Sequence, residues 1–242
     1  ARRTEPQSGL TTPERVRLIC EELGPSFIKI GQILSTRPDL LPPDWIEELS
    51  RLQGRLPPIP QADIEAALRE SWGDAGWQRL ARFDPEPLAT ASIAQVHYGV
   101  LPTGEEGAVK VRRPGIRDQV EVDLAILKRL AGLAADYLPD LARHDPERVA
   151  EEFSTSFRAE MDLSQEGRNL ERFSTNFRNR RDVIFPGVYW EYSDETVLVT
   201  EFVAGPMALT APEELDEAGY DRRALARTGA RGFLKMIIRD GF

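Results

Sequence analysis

Two apolar stretches, Ala91 to Leu101 and Gly107 to Arg112, are separated by Pro102-Thr103-Gly104-Glu105-Glu106. A short Pro- and Gly-containing segment between two β-type runs reads as a hairpin turn. Pro114-Gly115 closes the second run, and a helical pattern follows from about Ile116 to Tyr137. A small antiparallel sheet combined with long helices places the chain in the α+β class.

The remaining elements agree with this. Thr12-Pro13-Glu14 offers a hydroxyl cap and a proline where its missing N–H does no harm, so a helical stretch runs from there to about Leu34. Arg37-Pro38-Asp39 ends it, and Pro42-Pro43-Asp44 opens a helix to about Leu52. Pro57, Pro58 and Pro60 form a stiff connector. Ile64, Leu68 and Trp72 then share one face of an amphipathic helix from about Gln61 to Trp72. One long, charged helix is expected from Pro146 to Asn176, followed by strands from Val183 to Tyr192 and Thr196 to Val203. Gly205-Pro206 reads as a hinge, and a last helix runs from about Arg222 to Arg239. The expected division is a helical extension over 1–60, a sheet-bearing domain over 61–203, and a hinge with the start of a second lobe over 204–242.

Charge narrows the function. The 242 residues carry 31 Lys and Arg against 40 Asp and Glu, a net charge of −9. Nucleic-acid binders show the opposite excess, so no nucleic-acid partner is expected. Arg112 with Arg113, and Arg178 with Arg180 and Arg181, read as solvated turns or helix ends. A single cysteine, Cys20, excludes an intrachain disulfide. It shares a helical face with Val16, Ile19 and Leu23 and should pack in a core. His97 and His144 lack the clustered partners of a zinc site, so no metal ligand set is expected. No apolar run reaches the roughly 18 residues a membrane span requires. The N-terminus has no signal-peptide core. The chain therefore reads as cytoplasmic.

Four groups of residues could carry chemistry. Lys110 interrupts the apolar strand Ala108-Val109-Lys110-Val111, where burial is costly without a partner; the bland alternative is an edge-strand lysine facing solvent. Ala89-Thr90-Ala91-Ser92 is a small-residue loop whose amides could approach a phosphate, although it contains no glycine; an ordinary turn would look the same. Glu160, Asp162, Glu166 and Asn169 gather polar groups on a helix, with Asp162 a weaker helix former than glutamate would be; a charged solvent face is the commoner meaning of such a run. Lys29 and Gln32 lie on one face of an apolar helix, and Gly31 between them costs that helix about 1 kcal/mol relative to alanine. Close packing against another helix would account for that glycine.

The order of these groups carries a resemblance that none carries alone. Leu23-Gly24-Pro25-Ser26-Phe27-Ile28-Lys29-Ile30-Gly31-Gln32, Ser35-Thr36-Arg37-Pro38-Asp39-Leu40-Leu41-Pro42, Ala91-Ser92-Ile93-Ala94-Gln95-Val96-His97, Val109-Lys110-Val111 with Arg113-Pro114-Gly115-Ile116, Glu160 to Asn169, and Val197 to Gly205 resemble the UbiB/ADCK family of atypical kinases. The resemblance covers the chain from about Thr12 onward. It implies a protein-kinase-like N-lobe behind an N-terminal helical extension, with only the start of a C-lobe. It also implies ATP and Mg²⁺ as cofactors, and a role in quinone (ubiquinone-type) biosynthesis. By position, Lys110 resembles the lysine that grips the ATP phosphates and Glu166 its helix partner. Lys29 and Gln32 resemble the KxGQ motif, and Glu160 and Asp162 the ExD motif that faces it. Ala89, Thr90, Ala91 and Ser92 resemble the alanine-rich loop, from which Thr90 departs. Glu201, Phe202 and Val203 would hold the adenine through their backbone.

The family's catalytic and metal-binding loops follow a segment like Arg239-Asp240-Gly241-Phe242, so the Mg²⁺ ligands are expected beyond residue 242. The 242-residue chain is accordingly expected to be inactive, as part of a longer atypical kinase or ATPase. Its expected partners are nucleotide, a lipid-like quinone precursor, and proteins of quinone biosynthesis. Membrane association, at the periphery of the inner membrane, is expected only through C-terminal segments or the extension. The alternative is a non-catalytic pseudokinase module that senses nucleotide or lipid. A small-molecule phosphotransferase is a weaker third, because the KxGQ-type extension counts against it.

Overall fold

The computed structural model describes residues 9–39, 41–52, 58–137, 143, 145–205 and 212–241. Leu40, Pro57, His144, Pro206 and Phe242 lie outside these.

The first helical stretch is two helices, α1 (Thr12–Leu23) and α2 (Pro25–Leu34), rather than one. Gly24 divides them at φ +103°, a left-handed conformation that favours glycine, and Pro25 restarts the helix at its first position. The cap of α1 is Thr11, one residue before the expected one. Its hydroxyl accepts from Glu14 N–H while the Glu14 carboxylate accepts from Thr11 N–H at 2.7 Å, closing a capping box. With α3 (Pro43–Ser50), these helices enclose a core of Cys20, Phe27, Ile28, Leu49 and Leu52.

α4 (Gln61–Trp72) lies against a four-stranded antiparallel sheet in the order β1-β2-β3-β4. The strands are β1 (Arg82–Thr90), β2 (Ala94–Val100), β3 (Glu106–Arg112) and β4 (Val197–Glu201). Ile64, Leu68 and Trp72 of α4 meet Val109, Val111, Val197 and Val199 of the sheet in one buried cluster. β1 escapes the sequence reading because Pro85 and Pro87 interrupt it. As an edge strand it tolerates them, and the ladder to β2 shifts register at Pro87. The expected strand over Val183 to Tyr192 does not form. Only Val188 bridges to Thr200, and Trp190–Tyr192 is a 3₁₀ turn; Pro186 and Gly187 interrupt the run.

The chain between β3 and β4 contains α5 (Ile116–Tyr137), α6 (Pro146–Glu160) and α7 (Leu163–Phe177). The single helix expected over Pro146 to Asn176 is broken at Met161 and Asp162. Asp162 is extended (φ −92°, ψ 95°), and its carboxylate accepts from Ser164 N–H at 3.0 Å. The aspartate that looked costly inside a helix is therefore the N-cap of the next one. Ile93, Ala94, Ile116, Val120, Leu124, Phe157 and Met161 form a second buried cluster beside the sheet. The chain continues through α8 (Pro212–Glu217) and α9 (Arg222–Ile238).

A buried polar chain joins the connector to the sheet. The Gln95 carbonyl accepts from Ile59 N–H at 2.7 Å, and its amide donates to His97 Nε2 at 3.0 Å. His97 Nδ1–H then donates to the Asp84 carbonyl at 2.9 Å. Burial pushes the His97 pKa below its ordinary value, opposed by the Asp84 carbonyl. The unfolded chain thus takes up the proton first as pH falls, so stability must decline with falling pH. The decline opens in the ordinary histidine range, near pH 6.5, and continues as pH falls toward the carboxylate range. Urea midpoints across this decline should fall for the native chain and stay flatter in His97→Gln. Equal slopes in the two proteins would remove His97 from the account.

Candidate functional site

Lys110 is not on an edge. β3 is an interior strand, and Lys110 lies between Val96 of β2 and Leu198 of β4. Strand alternation turns Val109 and Val111 into the α4 core and Lys110 to the opposite face, toward α7. There its ammonium meets the Glu166 carboxylate at 2.6 Å. Glu166 reaches it because Gly167 lets α7 lie close to the sheet. A Cβ at Gly167 would stand 2.7 Å from Trp190 Cη2 and 3.2 Å from Leu198 Cδ1.

The second ion pair bridges the extension and the last residue of α6. Lys29 of α2 meets Glu160 at 2.8 Å. Asp162, two residues on, is committed elsewhere: it accepts from Ser164 and from Arg168 at 3.2 Å. Burial raises its carboxyl, but the Ser164 bonds and the Arg168 charge outweigh that and hold it below its ordinary value.

Both pairs open onto one cavity of about 660 Å³. It brings together Lys29, Ala91, Ser92, Lys110, Glu160, Asp162 and Glu166 from the sequence-derived set. Asn169 also lines it, as do Ser156 and Gln165, which sequence reasoning did not single out. Their one available signal was spacing, since Ser156 stands a helical turn before Glu160 and Gln165 precedes Glu166. Ile93, Leu170 and Phe173 provide an apolar wall.

Other expected site residues stand apart from this cavity. The Gln32 amide donates to Leu52 O at 3.0 Å, tying α2 to the end of α3. Gly31 is a packing contact, for a Cβ there would come 2.2 Å from Leu52 Cδ1. Ala89 and Thr90 end β1, paired with Val96 and Gln95. At the end of β4 and just beyond it, Glu201 N–H donates to Gly187 O at 2.8 Å and Phe202 N–H to Glu106 O at 3.0 Å. Those two amides are spent, while Val203 is exposed.

Chemically, a strand lysine held by a helix carboxylate, a serine hydroxyl, and small side chains at Ala91 and Ala159 suit an anionic, phosphate-bearing ligand. Among the described residues no group of three or more His, Cys, Asp or Glu is arranged to hold a metal ion. The described part of the site therefore does not by itself fit Mg²⁺.

Comparison with known proteins gives a consistent result. The ABC1 atypical kinase-like domain matches residues 51–242. A probable protein kinase UbiB of Marinobacter nauticus is 39% identical over 237 residues, covering 98% of this chain and 43% of the relative. A probable protein kinase UbiB of Xanthomonas campestris pv. campestris is 40% identical over 233 residues, covering 94% and 42%. The chain thus spans less than half the length of these relatives. Among solved structures, Rv3197 of Mycobacterium tuberculosis, in its complex with erythromycin, is 27% identical with a TM-score of 0.54, over 84% of this chain and 52% of that one.

Proposed function

The chain belongs to the family of ABC1 atypical kinase-like domains, and from that premise we propose that it is the nucleotide-binding part of an ATP-dependent atypical kinase or ATPase serving quinone biosynthesis. The observation that carries this reading is the Lys110–Glu166 pair at 2.6 Å, facing a cavity beside the Ala91-Ser92 turn. In phosphoryl-transfer proteins of kinase type, a strand lysine paired with a helix glutamate grips the nucleotide phosphates. ATP bound here supplies the transferable phosphoryl group. Lys110 would bind its phosphates, Glu166 would orient Lys110, and Ser92 with the turn amides would line the phosphate path. The base would meet the backbone at Glu201–Val203, where the Glu201 and Phe202 amides already bond to Gly187 O and Glu106 O. Lys29 and Glu160 would brace the extension across the cavity mouth and favour a small or lipid-like substrate over a protein one.

We assign the Mg²⁺ ligands and the groups that orient the acceptor to the part of the relatives that this chain does not span. Membrane association belongs to that part or to the extension. No helix among the described residues is long and apolar enough to cross a membrane. In the longer protein, Lys110→Ala should lower Mg²⁺-dependent ATP hydrolysis by roughly a hundredfold or more, the scale of removing one preorganised electrostatic group. Unchanged turnover would remove Lys110 from the mechanism. Nucleotide-dependent stabilisation without any turnover would instead select the non-catalytic sensing module.

A further inference from the structure

The helix break that separates Glu160 from Glu166 is held by one guanidinium. Arg112 lies two residues beyond Lys110 on β3, so both side chains leave the same face of the strand. Arg112 Nη1 donates to Met161 O at 2.6 Å and to Glu195 O at 3.1 Å. The Met161 carbonyl belongs to the last turn of α6, where helix carbonyls lack intrahelical partners and attract cations. The Glu195 carbonyl also accepts from Leu163 N–H at 3.1 Å, an amide of the first turn of α7. One arginine and one carbonyl thus satisfy the end of α6 and the start of α7 together. The same point is stitched to the sheet, since Arg112 N–H donates to Thr196 O at 2.9 Å. The expectation that Arg112 is a solvated turn residue is therefore corrected: it is half-buried and spends its side chain on the backbone.

The consequence lies on either side of the joint. Glu160 is the last residue of α6 and reaches Lys29, while Glu166 is in the first turn of α7 and reaches Lys110. A slip or rotation at Met161–Asp162 would move both carboxylates together. We propose that Arg112 is a positioning residue that fixes this joint in the register where both lysines are paired. The proposal rests on the reading of Lys110 as the phosphate-binding lysine only for its functional meaning; the geometry stands without it.

The test uses the chain's own four lysines, Lys29, Lys110, Lys128 and Lys235. Each is ion-paired, Lys128 with Glu151 and Lys235 with Asp240, away from the joint. A lysine released from its carboxylate is acylated faster. The chain is treated with sulfo-N-hydroxysuccinimide acetate, and the rate at each lysine is followed by peptide mass spectrometry. In Arg112→Met, acylation at Lys110 should rise on the order of threefold, the scale of losing one partly exposed pair, and Lys29 should rise with it. Lys128 and Lys235 should keep their rates. Arg112→Lys, which retains the charge and one carbonyl bond, should fall between the native chain and Arg112→Met. Unchanged rates at Lys110 in both variants overturn the proposal, and so does a parallel rise at all four lysines, which marks a merely structural role. Labelling needs no nucleotide, so a failure of ATP binding would count against the proposed function and not against this joint.

Discussion

Replacing Phe157 with alanine should cost about 3–5 kcal/mol of stability, the range for removing a buried aromatic side chain. Phe157 is 1% exposed and sits among Ile93, Ala94, Ile116, Val120, Leu124 and Met161. That cluster joins the β1–β2 turn to α5, α6 and the joint before α7. The loss should therefore exceed that of an isolated core truncation in one respect: the Ala91-Ser92 side of the cavity rests on the same residues. Urea unfolding gives the stability, and nucleotide-induced stabilisation reads the site. A cost below about 1 kcal/mol would mean that the cluster collapses around the deletion, and that the turn does not depend on it.

The second large effect is expected at Gly167. A glycine inside a helix normally costs about 1 kcal/mol relative to alanine, so replacing it usually helps. Here the sign reverses. Leu198 is 1% exposed and does not yield freely, while Trp190, though 37% exposed, is tied through its indole N–H to Glu171 at 2.6 Å. Gly167→Val should lose about 2–3 kcal/mol by overpacking and tilt α7 away from the sheet, taking Glu166 with it. Trp190→Leu in the same chain should restore part of both stability and Lys110 pairing. If Gly167→Val proves as stable as the native chain, the close approach of α7 is not set by this contact.

Most of the fold was legible because its signals are local. The caps, prolines and apolar spacing of α3, α4, α5 and α9 stand in the sequence, and those helices appear where the spacing puts them. What was not legible depends on tertiary context. β1 carries Pro85 and Pro87 and survives only because an edge strand needs half its amides. Val183 to Tyr192 has strand composition, but Pro186 and Gly187 interrupt it and only Val188 bridges to Thr200 of β4. Asp162 is the instructive case. Its weak helix propensity and the Asp-x-Ser spacing both stand in the sequence, but the charged run around it has the period of one continuous helix, and only the break after Glu160 shows Asp162 to be a cap. At the site, Lys110 and Glu166 were legible by resemblance and are brought together. Gln32 and Gly31 belong to the packing of the extension in this structure, and Arg112 was read by its charge when its backbone partners decide what it does.

The insertion of α5, α6 and α7 between neighbouring strands β3 and β4 also bears on the order of assembly. β1, β2 and β3 follow one another through short turns, and their contacts close small loops. β4 can add to β3 only after three helices have been gathered into one long loop, and closing such a loop carries an entropic cost that local pairing does not. The carbonyl of Glu195, two residues before β4, is also the one that α7 and Arg112 share. Loop closure thus predicts that the joint at Met161–Asp162 is completed only when β4 pairs, so protection of the Lys110 pair should appear together with the β3–β4 ladder during refolding.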